Sequence, residues 1–466
     1  MATKEQIVKY TNFIDTKRDV LDATAQFLWE NPETAFTEFK SAAYLTDVLR
    51  KEGFEVTENL TGIATAFSGK FGHGRPIIGI LGEYDALSGL AQVGGVTTHQ
   101  PIEGQVAGQG CGHNLLGTGA LAAAIAIKHY LEETGNEGTV IYFGTPGEEG
   151  GSGKAFMARD GAFDDLDFAL TWHPASKSDV RNATSLANYQ VKYIFDGQAS
   201  HAGGTPHLGR SALDAVELMN IGVQFLREHM TDDCRIHYAI TDAGGFSPNV
   251  VQPHAEVLYL IRALTNPEVK DLYERVNDIA KGAALMTGTK ERHEFIKACS
   301  NVVPNQALQL CMQDVAEMLE HPVCPKEHQD FVREMLSTSL PQGSKIDLDR
   351  PVHDFLEPYD PVVATGHGST DVGDTSWVCP TAQFHAATWG LGTPGHSWQV
   401  VSQGCSQWDY DVTAYVGKVL AGTAIQVLEN PDILAKAKAE HKELVGPEGY
   451  IAPIPKDVVP QAINKL

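Results

Sequence analysis

The chain has 466 residues, of which 42% are hydrophobic, and a formal net charge of -24. This length predicts two or three domains, and the excess of acidic residues argues against nucleic acid or anionic membranes as partners. The first residues lack the apolar core of a signal peptide, and the seven scattered cysteines suit reduced thiols, so we expect a cytoplasmic protein.

Three short apolar runs in the first part of the chain each lead into polar residues. They cover 76–87, 139–143 and 167–174, and an alanine- and leucine-rich stretch at 114–133 predicts a helix between the first two. Strands that alternate with helices predict an α/β domain with a mostly parallel sheet. Such sheets bind ligands beyond the carboxyl ends of their strands, where the three polar loops would lie.

The pattern changes after Leu186. Tyr189, Val191 and Tyr193 alternate with polar residues, as in a half-buried strand, and further elements complete the β-α-β-β-α-β order of ferredoxin-like domains. The predicted elements are a helix at 211–230, strands at 235–241 and 255–263, a helix at 267–286 and a strand at 290–299. We therefore predict an inserted domain over 187–303 and a catalytic domain formed by 1–186 and 304–466.

The stretch GTPGEEGGSGK, at 144–154, places Glu148 and Glu149 side by side among glycines. A phosphate-binding loop would need a glycine at 148 and a serine or threonine at 155, but the chain has Glu148 and Ala155. The stretch is therefore not a nucleotide-binding loop. Adjacent carboxylates repel each other, so either this is a solvated turn or a cation lies beside the pair.

Other loops offer partners for such a cation. Each candidate residue has an ordinary structural explanation when taken alone, such as a capping histidine. Together, on loops at one predicted sheet edge, they are the ligand types that zinc-like transition metals take, and they suit two ions that share a site. The candidate ligands are Cys111, His113, Glu149, His173 and His396. Glu148 is then free to act as general base toward a water molecule.

The motifs GEYDALSGL, GQGCGHNLLGT, PGEEGGSGKAFM, LTWHP and GTPGHSWQVVSQG resemble those of the bimetal aminoacylase and carboxypeptidase-like metallopeptidases. The resemblance covers nearly the whole chain. It implies a phosphorylase/hydrolase-like α/β catalytic domain with two divalent ions, and an inserted ferredoxin-like α+β lid that also forms a homodimer interface. It also implies Mn²⁺ as the activating ion, although a cysteine ligand suits Zn²⁺ as well.

The resemblance implies the same five ligands and the same base, and it adds four further roles. Asp85 matches an aspartate that orients a site group, and His201 matches a lid histidine that reaches the substrate or its oxyanion. Asn249 and Arg262 match polar lid positions near the substrate.

Two departures from the family pattern concern the first ion. Many relatives have aspartate where this chain has Asn114, and many peptidase members have a ligand histidine where it has Glu83.

The expected activity is metal-dependent hydrolysis of the amide bond of an N-acyl amino acid. The acyl group is left open between aminobenzoyl, another aroyl group, a simple acyl chain and an amino acid. The alternatives are a dipeptidase of the β-alanyl-lysine type and a weakly active partner of a paralogous chain in a two-subunit hydrolase. A metal-storing or peptide-binding protein would need neither Glu148 nor His201.

Overall fold

The computed structural model of the chain describes residues 2–341 and 343–462. Two large β-sheets, each covered by helices, organise it. The strands are β1 (Glu55–Glu58), β2 (Phe67–His73), β3 (Ile77–Gly82), β4 (Leu87–Ser88), β5 (Ala107–Gly108), β6 (Gly138–Gly144), β7 (Phe168–Ala175), β8 (Asp179–Val180), β9 (Ala183–Thr184), β10 (Ala187–Asp196), β11 (Arg235–Asp242), β12 (His254–Ala263), β13 (Lys290–Cys299), β14 (Ala364–Thr365) and β15 (Thr381–Ala387).

The helices connect these strands and form the outer layers. They are α1 (Lys4–Thr11), α2 (Arg18–Glu30), α3 (Phe39–Lys51), α4 (His113–Thr134), α5 (Glu148–Gly151), α6 (Gly153–Arg159), α7 (Ala212–Leu226), α8 (Asn266–Thr287), α9 (Gln306–Met318), α10 (Lys326–Ser339), α11 (Val372–Val378), α12 (Trp398–Gln403), α13 (Gln407–Glu429) and α14 (Pro431–Val445). Within the two described ranges, no helix is both long enough and apolar enough to cross a membrane.

The larger sheet has seven strands in the order β1-β2-β6-β3-β7-β15-β8. Its four central strands, β6, β3, β7 and β15, are parallel to one another, while β1, β2 and β8 pair antiparallel at the two sides. The strand and helix positions predicted for this part of the chain agree with β3, α4, β6 and β7. The predicted α/β class is confirmed.

Helix α4 is the central helix of the larger core. Its alanine- and glycine-rich sequence leaves most of its residues buried, and it packs against α13 and β3. Small residues allow the close approach: a Cβ on Gly417 of α13 would lie 2.7 Å from that of Ala122 in α4. Because α4 is held on both sides, the residues at its first turn are fixed relative to the sheet.

The smaller sheet has four antiparallel strands in the order β11-β12-β10-β13. In chain order its elements are β10-α7-β11-β12-α8-β13, which is the ferredoxin-like arrangement predicted from the sequence. Tyr189, Val191 and Tyr193 lie buried with α7 and α8 in one core that continues to a face of the larger sheet. The exact division at 187 and 303 stays a prediction.

Candidate metal centre

Three of the parallel strands deliver candidate residues to one edge of the larger sheet. Glu83 and Asp85 follow β3, Glu148 and Glu149 follow β6, and His173 lies near the end of β7. The carboxyl ends of parallel strands meet at the same edge, so residues far apart in sequence come together there. This edge is where the sequence predicts the polar loops.

The start of α4 adds His113, and the turn just before the helix adds Cys111. The Cys111 Sγ lies 3.4 Å from Nε2 of His173, whose Nδ1 lies 2.6 Å from the carbonyl oxygen of Pro174. That carbonyl accepts a hydrogen bond from Nδ1–H and leaves Nε2 free to bind a metal. His113 Nδ1 lies 3.0 Å from Oδ1 of Asp85, so its Nε2 is free in the same way.

Asp85 and His396 hold Glu149 from two sides. The second oxygen of Asp85 accepts the backbone N–H of Glu149 at 2.8 Å, and His396 Nε2 lies 3.1 Å from Glu149 Oε1. His396 has a φ of 53°, which is costly for a residue with a side chain. A strained residue at this position is consistent with a functional constraint on its ring.

The turn that carries the two glutamates requires glycine. Gly147 has a φ of 67°, and a Cβ added there would lie 2.8 Å from the ring of Phe36. Another residue type would therefore meet both a backbone and a packing penalty. The close backbone packing brings the Glu148 and Glu149 side chains to the sheet edge.

Three buried atoms at this edge have no hydrogen-bond partner among the described residues: Glu83 Oε2, His113 Nε2 and Glu149 Oε1. Glu83 Oε2 and His113 Nε2 are only 3.2 Å apart, but they do not form a hydrogen bond. Unpartnered buried polar atoms are costly unless a ligand satisfies them. A divalent cation fits these donors.

In the described part of the chain, three overlapping groups of residues have ligand atoms within 4.8 Å of one another. Cys111 and His113 each belong to two of these groups, which suits neighbouring ions that share one site. The groups are Cys111 with His113 and His173, Cys111 with Glu149 and His396, and Glu83 with His113 and Glu148.

The paired glutamates differ in their electrostatic surroundings. Burial raises the pKa of Glu148 well above its usual value, and the carboxylates of Glu83 and Glu149 raise it further. Burial also opposes ionisation of Glu149, but the His396 ring beside its carboxylate and the charge on His113 lower the pKa of Glu149 to about 2. One glutamate is therefore held as an anion, and its neighbour accepts a proton readily.

Sequence reasoning missed a buried charge network beside Glu148. The Lys154 ammonium lies 2.7 Å from Glu83 and 2.6 Å from Asp371, and all three side chains are buried. The sequence signal is a lysine that ends the glycine-rich turn, and its position alone does not reveal its partners. Asn114, one of the departures from the family pattern, lies outside the cluster, and its amide donates to two backbone carbonyls.

A cavity of about 410 Å³ opens onto the cluster and is bounded on its other side by the four-stranded sheet. Arg262 lines it, and its role near the substrate stays a prediction. His201 and Asn249 do not line it: both are exposed on the loops after β10 and β11. The lining residues are Cys111, Glu148, Glu149, Gly150, Ser152, His173, Asn188, Gln190, Leu260, Arg262, Lys297, Cys299, Gly368, Ser369, Thr370, Asp371 and His396.

Known proteins resemble this chain over nearly its full length. It is 43% identical over 470 residues to one of the subunits of p-aminobenzoyl-glutamate hydrolase of Escherichia coli, covering 97% of this chain and 98% of the relative. It is 29% identical to Xaa-Arg dipeptidase of Mus musculus, covering 92% and 90%. Residues 181–286 match the family described as peptidase dimerisation domain.

Solved structures share the fold at low sequence identity. The aminobenzoyl-glutamate utilization protein of Klebsiella pneumoniae aligns with a TM-score of 0.60 at 14% identity, covering 88% of this chain and 97% of that one. A dinuclear metal binding peptidase from the M20 family of Bacillus subtilis aligns with a TM-score of 0.57 at 14% identity, covering 88% and 99%.

The α/β sheet, the cysteine–histidine–carboxylate cluster at its edge and the inserted four-stranded domain define a metal-dependent amidohydrolase. Within that class, the chain belongs to the p-aminobenzoyl-glutamate hydrolase family.

Proposed function

We propose that this protein hydrolyses the amide bond of an N-acyl amino acid and releases the free amino acid. The observation that carries the proposal is the position of Glu148, a half-buried carboxylate between the candidate ligands and a cavity large enough for a small substrate. The 43% identical relative is named for p-aminobenzoyl-glutamate, which makes that compound the first substrate to test.

The proposed site holds two divalent ions. Cys111, His113, Glu149, His173 and His396 supply the ligands, and the unpartnered Oε2 makes Glu83 a further candidate. Mn²⁺ is the proposed activating ion, and Zn²⁺ is expected to bind as well because of the cysteine. When bound, such ions polarise the substrate carbonyl and make water more acidic.

The side chains of this chain divide the remaining work. Glu148 takes a proton from the attacking water and returns it to the departing amine. Asp85 fixes the His113 ring and the Glu149 backbone, so both are oriented before substrate arrives. Arg262, which lines the cavity, holds the α-carboxylate of the amino acid.

The proposed assembly is a homodimer formed through the inserted domain of 187–303. Leu218, Ile221 and Phe225 form an exposed apolar stripe on α7, and strand β11 at the sheet edge carries exposed Tyr238 and Ile240. An exposed strand edge offers unpaired backbone groups to another chain, and exposed apolar patches mark interaction sites. In such a dimer the exposed His201 would reach the cavity of the neighbouring chain and hold the oxyanion of the reacting amide.

Two alternative assignments have their own support. The mouse relative is named an Xaa-Arg dipeptidase, which favours testing dipeptides as well. The 43% identical relative is named as one subunit of its enzyme, and the protein named as the other Escherichia coli subunit is 26% identical over 42% of this chain. These names favour testing a mixed assembly. The same substrate panel, with and without the second kind of chain, separates these assignments.

The test uses the purified chain alone. Metal is removed with a chelator and restored as Mn²⁺ or Zn²⁺, and hydrolysis is followed with p-aminobenzoyl-glutamate, other N-acyl amino acids and dipeptides. We expect about two bound ions per chain, as paired-metal sites require, and activity that is lost and restored with them. An active chain that holds no metal would refute the proposed site.

The matched variant in this test is Glu148→Gln, which keeps the side-chain volume and removes the proton acceptor. Turnover should fall by roughly 100- to 10,000-fold while bound metal stays at the wild-type level. A near-wild-type kcat would show that Glu148 is not the base.

A further inference from the structure

One face of the four-stranded sheet is polar and lies over the metal centre. Strand residues alternate between faces, so the face opposite the helices presents Asn188 and Gln190 of β10, Arg262 of β12, and Lys297 and Cys299 of β13. Asn188 pairs with Arg262 on one side and with Cys299 on the other, and Gln190 pairs with Lys297. All five residues line the cavity that contains Glu148.

Lys297 is a buried cation in this wall. The residue is only 7% exposed, and its ammonium donates to Oδ1 of Asn188 at 3.1 Å. Among the described residues, no carboxylate lies within 4.0 Å of it. Lys154 differs from Lys297 in this respect: it is also buried, but its ammonium contacts two carboxylates. The desolvation free energy of the Lys297 ammonium is therefore not offset by an ion pair with a protein carboxylate.

Arg262 is a half-buried cation on β12, which β10 separates from β13. Its Nη1 donates to the Ser369 hydroxyl at 2.7 Å, and no ion pair joins it to a carboxylate in the described ranges. Burial lowers the pKa of Arg262, which reflects the same cost of desolvating a cation. Both cations face one cavity, and within the described part of the chain neither has a fixed anionic partner.

A ligand with two carboxylates would satisfy both cations at once. We propose that Lys297 binds the side-chain carboxylate of an acidic amino acid, while Arg262 binds its α-carboxylate. This assignment rests on the proposed function, and it makes Lys297 the residue that selects substrates with an acidic side chain. Asn188 accepts a hydrogen bond from the lysine and so orients the ammonium for the ligand.

The decisive comparison uses p-aminobenzoyl-glutamate and p-aminobenzoyl-glutamine, which differ by one charge and have nearly the same shape. The wild-type protein should prefer the glutamate compound. Lys297→Met should lower kcat/KM for the glutamate compound by about 10- to 100-fold, because a charge-assisted hydrogen bond is lost. For the glutamine compound, kcat/KM should stay within about threefold of the wild-type value. Lys297→Arg should keep most of the preference because it keeps the charge.

Two further variants provide matched controls. Arg262→Met should lower kcat/KM for both compounds to a similar degree, since both carry the α-carboxylate. Lys192→Met removes a lysine of β10 that lies outside the cavity, with its ammonium 3.7 Å from Glu256. It should leave kcat/KM for both compounds unchanged.

Three results would overturn the assignment. One is a wild-type protein that hydrolyses both compounds equally well. The second is an equal loss on both compounds in Lys297→Met with a shifted pH profile, which would mean that the lysine acts on Glu148. The third comes from titration calorimetry of the wild-type protein with L-glutamate and L-glutamine. This measurement needs no turnover, so it tests the assignment even if no hydrolysis is found. The assignment is wrong if the protein binds glutamate no more tightly than glutamine.

Discussion

The Lys154 ammonium lies directly between two buried carboxylates of the site edge, Glu83 and Asp371. Asp371 also accepts the backbone N–H of Lys154 at 2.8 Å, so the lysine is anchored through its main chain as well. One oxygen of Glu83 is engaged by the lysine, and the other is left facing His113. The network therefore fixes which Glu83 oxygen points toward the metal centre.

Replacing Lys154 tests this arrangement. Lys154→Met keeps a long side chain but leaves two buried carboxylates without their cation, so the free energy of unfolding should fall by about 3–5 kcal/mol. The shift in the urea midpoint of the metal-free protein measures it. Lys326→Met is the control, because Lys326 is 87% exposed beside Asp330 and its loss should cost less than about 1 kcal/mol. Equal midpoint shifts in the two variants would argue against the network.

Sequence patterns located the candidate cluster because its members follow strands or begin a helix. Cys111, Glu149 and His173 were each recognisable by residue type and by position at a predicted strand or helix end. Lys154 and Asp371 are separated by 217 residues and carry no local signal of their pairing. Lys297 lies within a strand whose alternation shows which face it occupies but not what faces it across the cavity.

Helices α4 and α13 show how element packing supports the site. The first turn of α4 carries His113, and α13 packs along α4 through small residues. The start of α13 is fixed by a capping box, in which Ser406 and Asp409 hydrogen-bond to each other's backbone N–H. The range of α4 and the central strands of the larger sheet were predictable from the sequence. Long apolar segments must be buried, and their pattern indicates the element that buries them.

Asp409 should make stability depend on pH. Burial raises the pKa of Asp409 to about 8, whereas an unfolded aspartate ionises near pH ~4. Between these values the folded state binds more protons than the unfolded state, so the free energy of unfolding falls as pH rises, by about 1.4 kcal/mol per pH unit. Asp409→Asn cannot ionise, and its urea midpoint should fall less between pH 5 and pH 8 than that of wild type.

The neighbouring Asp411 is the control for this prediction. It lies on the same helix, pairs with Arg18 at 2.7 Å and is 39% exposed. Asp411→Asn should therefore keep the wild-type slope of midpoint against pH. Parallel curves for wild type and Asp409→Asn would contradict the assignment of the slope to Asp409.

At the scale of the whole molecule, one chain brings together the candidate ligands and Glu148 but leaves His201 outside the cavity. The imidazole of His201 has one nitrogen occupied, since Nδ1 accepts the N–H groups of Gly203 and Gly204 at 3.1 and 3.0 Å. These two hydrogen bonds orient the ring, and its Nε2 is available to a ligand. Sequence reasoning could not decide which chain supplies this residue, because position along one chain does not report contacts between chains.

Complementation between inactive chains decides where His201 acts. His201→Ala and Glu148→Gln should each be nearly inactive alone, for different reasons. In a mixed dimer, the chain with the His201→Ala change keeps Glu148 and receives His201 from its partner, so one of the two sites is complete. Random pairing makes half of the dimers mixed, and the mixture should regain about a quarter of wild-type activity. The measurement is activity after co-expression of the two variants, with sedimentation to verify the dimer. If His201 serves its own chain instead, no site in any dimer is complete, and the mixture stays at the level of the single variants.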